Sequence, residues 1–180
     1  MATTAIWDVK GWLGKLVIYA ENPDKTTNPQ YYEKQDMNNQ DTEALGDVIG
    51  YAMREDATVS EELKEHFVSG INCSINTART EMMAVKKRYG KEDGIVAFHG
   101  YQSFAPNEAT PEIAHEIGVR LANELWGERF QVIVATHLDK ENHIHNHFVL
   151  NSVSFKDGYR YNDCTKTYMI MRKTSDRICK

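Results

Sequence analysis

Cysteine is scarce in this chain. Cys73, Cys164 and Cys179 are far apart, odd in number and form no C-x-x-C pair. Three scattered cysteines make no disulfide framework, so reduced, cytosolic thiols are the expectation. Long apolar runs are also missing. The longest are Leu16-Val17-Ile18, Val132-Ile133-Val134-Ala135 and Phe148-Val149-Leu150, far short of the ~20 residues that span a bilayer. No membrane insertion is expected, and the first residues lack the basic and apolar regions of a secretory signal. An excess of positive charge is absent too. Lys and Arg total 21 against 26 Asp and Glu, a net −5, whereas nucleic-acid binders usually carry a basic footprint. That total averages over a pattern: residues 156–180 hold seven basic and three acidic side chains, and the first 155 residues carry −9. A second basic cluster is Lys86-Lys87-Arg88 with Lys91.

What is present suits one folded domain. The chain has 180 residues, 41% of them hydrophobic and 10% aromatic, enough to bury a core without staples. Residues 11–20 read as a short helix that stops before Pro23, because proline restricts its predecessor. Residues 28–41 read as a polar loop, and residues 42–54 and 60–66 as short helices. Thr77 to Tyr89 reads as a helix ended by Gly90. Ile95 to Phe104 alternates like a strand. Thr110-Pro111 starts a helix, with an N-cap followed by proline at its first position, and Ile113, Ile117, Leu121 and Leu125 form its apolar face. Phe130 to His137 and His143 to Phe155 read as strands. Lys156-Asp157-Gly158 is a tight turn, and Tyr159 to Asn162 a short returning strand. The two histidine-bearing strands are joined by only Leu138–Asn142, too few residues for a parallel crossover, so they must be antiparallel neighbours. The fold expected is α+β, a central antiparallel sheet flanked by helices. Tyr168 to Lys173 begins a helix and residue 180 follows without a cap signal; the whole chain, 1–180, is expected to be one catalytic domain from the N-terminal part of a longer protein.

Four of seven histidines fall within His137-Leu138-Asp139-Lys140-Glu141-Asn142-His143-Ile144-His145-Asn146-His147. On a strand, residues of one parity share a face, so His143, His145 and His147 point together. An antiparallel hairpin brings His137 back beside them. Burying three imidazoles without partners has no packing benefit and costs desolvation. Imidazoles converging from two strands suit a divalent cation with positions left open. Asp139 reads as a carboxylate orienting an imidazole, as a base, or as a turn residue.

The pattern H-x-D…H-x-H-N-H followed by F-V-L-N-S-V resembles motif III of conjugative relaxases of the MOBP class, in the HUH endonuclease superfamily. The stretch from Leu13 to Thr26, with Tyr19-Ala20-Glu21-Asn22-Pro23-Asp24-Lys25-Thr26, is similar to their motif I. His99-Gly100-Tyr101-Gln102-Ser103-Phe104, followed by Pro106 and Glu108, is similar to a strand of relaxases from Gram-positive mobile elements. The resemblance covers about residues 10–165. It implies an HUH fold with a ferredoxin-like core and His137, His145 and His147 as ligands of a divalent metal. Imidazoles favour Mn²⁺, Zn²⁺ or Ni²⁺, and phosphate oxygens also admit Mg²⁺. His143 then stands one strand step away as an accessory group. Tyr19 is the implied nucleophile, with Tyr31, Tyr32 and Tyr51 as rivals, and Asp139 or His143 its base.

The implied reaction is strand-specific nicking at a transfer origin through a 5′-phosphotyrosyl intermediate. The implied partners are single-stranded origin DNA, relaxosome accessory proteins and a coupling protein, with the chain a monomer that travels with the DNA. Lys25, Thr26, Arg160 and Lys166 are the candidate phosphate contacts. The alternatives are a rolling-circle replication initiator, a hydrolase using metal-bound water, and a catalytically silent DNA-binding module.

Overall fold

The computed structural model describes residues 2–10, 37–53, 59–60, 65–138 and 144–180. Its main sheet has five strands, β1 (Thr3–Lys10), β4 (Val68–Ile71), β5 (Ile95–Ser103), β6 (Val132–His137) and β7 (His145–Asn151). Their order is β1-β5-β7-β6-β4, and every pairing is antiparallel. The two histidine-bearing strands are neighbours, as the short connection between them requires. A separate pair joins β2 (Val59–Ser60) to β3 (Glu65–His66).

Helices cover both faces. On one lie α1 (Met37–Ala52) and α2 (Ala78–Arg88), whose Ala44, Leu45, Val48 and Met82 pack against Ile133, Ala135 and Val149. On the other lie α3 (Pro111–Trp126) and α4 (Thr165–Ile178), whose Leu121, Trp126 and Met171 pack against Val132, Val134, Phe148 and Leu150. With helices on both sides, β6 is buried along its whole length. This is the α+β architecture the pattern predicts. The local stops also hold: Thr110 Oγ1 accepts the Ile113 amide at 3.4 Å with Pro111 in the first turn. Gly90 and Gly158 take positive φ, 60° and 72°, a region glycine enters without penalty.

Five local readings change. The strand β1 lies where no element was expected: its alternation Ala5, Trp7, Val9 is short, and pairing with β5 is what makes it a strand. The four-residue β4, Val-Ser-Gly-Ile, likewise has no propensity signal of its own and is held by β6. Residues 65–66 form a strand rather than the end of a helix, and α1 starts at Met37 inside the stretch read as a loop. Beyond Gly158 there is only an isolated bridge between Val153 and Arg160, not a returning strand. The expected helix over 11–20 lies outside the described residues.

Candidate metal centre

The register of the sheet builds the site. His137 pairs with His145 across β6 and β7, and His145 with Ser103 across β7 and β5; one step along, Ala135, His147 and Tyr101 align. Alternation puts all of these on the face covered by α1 and α2. The rings of His137 and His147 lie 4.1 Å apart centre to centre, His145 and His147 4.8 Å, and His137 and His145 5.2 Å. One ring nitrogen from each can be chosen so that the three lie within 4.8 Å of one another. His137 and His147 are buried, while His145 is half-buried and forms the open side.

Two of these rings are oriented from behind. His137 Nε2 lies 2.8 Å from the main-chain carbonyl of Ala52, at the C-terminal end of α1. A carbonyl only accepts, so this nitrogen carries the proton and leaves Nδ1 as the atom His137 can offer a cation. His147 Nδ1 lies 2.8 Å from Nε2 of His99 on β5, which leaves Nε2 as the atom His147 can offer. Ligand imidazoles are commonly held in this way by the second nitrogen. Burial, and then the charge of His137, push the His99 imidazole down to about 4, so it is neutral at physiological pH. The Tyr51 ring meets His147, His137 and His99 edge-on, at 5.5, 5.8 and 6.0 Å. The donor set, three imidazoles on a rigid sheet with two of them held from behind, fits a divalent cation of the Mn²⁺ or Zn²⁺ type.

A family model described as "Relaxase: MobA/VirD2-like, nuclease domain" matches residues 51–180. This chain belongs to that relaxase family. Among curated proteins it is similar to the protein rlx of Staphylococcus aureus, 41% identical over 112 residues, which cover 62% of this chain and 35% of that protein. A second rlx protein from the same species is 39% identical over 111 residues, covering 62% of this chain and 33% of its own length. The group II intron-interrupted relaxase LtrB of Lactococcus lactis subsp. cremoris is 29% identical over 169 residues, covering 79% of this chain and 28% of LtrB. The chain thus spans about a third of the length of the curated relatives it matches.

Behind its histidines this chain carries a hydrogen-bonded belt on the opposite face of the sheet. Asn146, between the two histidines of β7, donates to Gln102 Oε1 at 3.0 Å and to the Ala114 carbonyl at 2.7 Å, and accepts from the Thr136 hydroxyl at 2.6 Å. Gln102 donates onward to Ser175 Oγ at 2.7 Å on α4. Thr136 meets His115 Nδ1 at 2.9 Å, and His115 Nε2 meets Ser69 Oγ at 2.7 Å on β4. The belt therefore ties β4, β5, β6, β7, α3 and α4 together directly behind the site. It also explains two polar residues of the sequence motifs, Asn146 and Gln102, that no site role accounts for.

The other predicted residues are placed as follows. Tyr19, Lys25, Thr26, Asp139 and His143 lie outside the described residues, as do Tyr31 and Tyr32. Arg160 donates to the carbonyls of Ile95 and Asp93 at 2.9 and 2.7 Å, at the end of β5 remote from the histidines. Lys166 is exposed on α4, in the layer opposite the histidine face. Cys73, Cys164 and Cys179 are free thiols. Among the described residues no helix is long and apolar enough to cross a membrane. His99 and the Ala52 carbonyl are site components that the sequence reading did not assign. His99 stood in a quoted motif, and only its diagonal cross-strand placement next to His147 reveals the contact.

Proposed function

We propose that this relaxase domain nicks and rejoins one strand of DNA at a transfer origin by metal-assisted tyrosine transesterification. The observation that carries the reading is the convergence of His137, His145 and His147, within 4.8 Å, in a chain of the MobA/VirD2-like nuclease family. A bound divalent cation, Mn²⁺ or Mg²⁺ by preference and Zn²⁺ or Ni²⁺ as alternatives, supplies positive charge to the non-bridging phosphate oxygens. His137, His145 and His147 hold it, with Ala52 and His99 fixing two of their tautomers. The Tyr19 hydroxyl attacks phosphorus; its O–P bond forms as the bond to the 3′-oxygen breaks, and that oxygen takes a proton from water and leaves as the 3′-hydroxyl. The attacking hydroxyl gives its proton to Asp139 or His143, because tyrosine with an ordinary pKa of ~10 is a weak nucleophile. Reversal by the same 3′-hydroxyl reseals the strand, since the phosphotyrosyl link conserves the bond.

Lys25 and Thr26, beside Tyr19 in sequence, are assigned to backbone phosphate. Arg160 and Lys166, away from the histidines, would meet the strand only beyond the nick. Single-stranded origin DNA is the substrate, accessory and coupling proteins the partners, and the domain acts as a monomer.

The packing of Tyr51 against three of the histidines supports a second reading for the nucleophile alone. Both are tested by incubating the chain with single-stranded origin DNA and Mn²⁺ and resolving protein–DNA adducts on a denaturing gel. The adduct should vanish in Tyr19→Phe and persist in Tyr51→Phe. The reverse pattern assigns the nucleophile to Tyr51, and absence of adduct with wild type across candidate origins sinks the transesterification reading.

A further inference from the structure

We propose that His99 is a positioning residue for the metal centre: as the hydrogen-bond acceptor behind His147, it holds that ligand in the tautomer that presents Nε2 to the cation. The inference rests on the metal-site reading and adds a residue to it. His99 Nε2 and His147 Nδ1 are 2.8 Å apart, and one proton must lie between them. An imidazole that binds a cation through Nε2 has its lone pair there and its proton on Nδ1. The His147 Nδ1–H is then the donor, His99 Nε2 the acceptor, and the proton of His99 itself sits on Nδ1.

The surroundings preserve this arrangement. His99 is 2% exposed, on a strand locked between β1 and β7. Its ring is packed by Trp7 at 4.8 Å and by Tyr51 at 6.0 Å, so it cannot swing away from His147 without disturbing both. His137 receives the equivalent service from a main-chain carbonyl, which no side-chain substitution removes. Of these two supports, His99 is the one that is a replaceable side chain.

The test uses the full chain and Mn²⁺ alone, with affinity read by titration calorimetry and metal-free melting temperature by circular dichroism. His99→Phe keeps a ring of similar size but has no acceptor. His99→Gln sets an amide oxygen near the place of Nε2. Loss of such a supporting partner lowers metal affinity by about 10–100-fold, and this loss is expected for His99→Phe with little change in metal-free melting temperature, while His99→Gln recovers most of the affinity. His99→Met, also without a comparable acceptor, replaces the Phe variant if the latter does not fold. Wild-type-like Mn²⁺ affinity in the Phe or Met variant overturns the inference, and so does a Gln variant as weak as they are, because ring packing alone would then matter. Lack of Mn²⁺ uptake by the wild-type chain overturns the metal reading itself, an outcome distinct from equal uptake by wild type and variants.

Discussion

A lysine sits in the interior on the same face of the sheet as the histidines. Lys86 of α2 is fully buried and its ammonium donates to Asn151 Oδ1 at the far end of β7. Burial, reinforced by the charge of Arg160, pushes its pKa down from 10.5 to about 7. In the unfolded chain the amine keeps its ordinary value. Below about pH 7 both states are protonated and the full cost of burying the charge is present. Between about 7 and 10.5 the unfolded state holds a proton that the native state has lost, so raising the pH stabilises the fold, by at most about 1.4 kcal/mol per pH unit. Urea unfolding at pH 6.5 and 9.5 should show greater stability at the higher pH for wild type relative to Lys86→Met. Replacing a buried charge by an apolar group of similar volume is often neutral or stabilising, so the variant should be at least as stable as wild type at pH 6.5. Equal pH dependence in the two proteins would count against the lowered value. At the candidate metal centre, His145→Ala removes the least buried of the three proposed ligands. Mn²⁺ binding should disappear from calorimetric titrations while the metal-free melting temperature changes little.

At the scale of elements, the belt behind the site makes β7 a strand with two anchors. Asn146→Ala strips partners from Gln102, Thr136 and the Ala114 carbonyl, all buried, and unsatisfied buried groups cost roughly 1–3 kcal/mol each before relaxation. A destabilisation of about 2–4 kcal/mol by denaturant unfolding is expected, together with weaker Mn²⁺ binding although no ligand is touched. The helix α3 approaches this strand at Gly118, where a β-carbon would stand 2.5 Å from Asn146 Nδ2. Gly118→Ala should therefore destabilise by about 1–3 kcal/mol, even though alanine favours a helix interior by ~1 kcal/mol. A stability equal to or above wild type would show that α3 can shift outward. These elements also show what the sequence made legible. The parity of His145 and His147 and the five-residue connection to His137 sufficed to put three rings together, because both follow from backbone geometry alone. The edge strands β1 and β4 were not legible, since their residues become strands only through partners distant in sequence. His99 and the Ala52 carbonyl were hidden for the same reason: one acts through a cross-strand diagonal, the other through a main-chain atom.

For the molecule as a whole, charge and chemistry are divided between layers. The basic residues Lys166, Arg172 and Lys173 are exposed on α4, behind the sheet, while the histidines face α1 and α2. With a net charge of −5, this chain has little bulk attraction for phosphate. Each phosphate neutralised on a single strand contributes about 0.7 to the slope of log affinity against log salt, so a shallow slope of about 1–2 is expected for origin DNA. A slope several times steeper, measured by fluorescence anisotropy over a salt series, would show that the basic helix joins the interface.

The alternation His145-Asn146-His147 also limits how β7 can vary over evolutionary time. Neighbouring residues there serve opposite sides, two facing the cation site and one the belt. Inserting or deleting a single residue within β7 would exchange the two sets, burying imidazoles against α3 and turning the asparagine toward the histidine face. Substitutions can be tried there one by one. Changes of length must come in pairs, or be absorbed outside the strand in the connection from Leu138 onward.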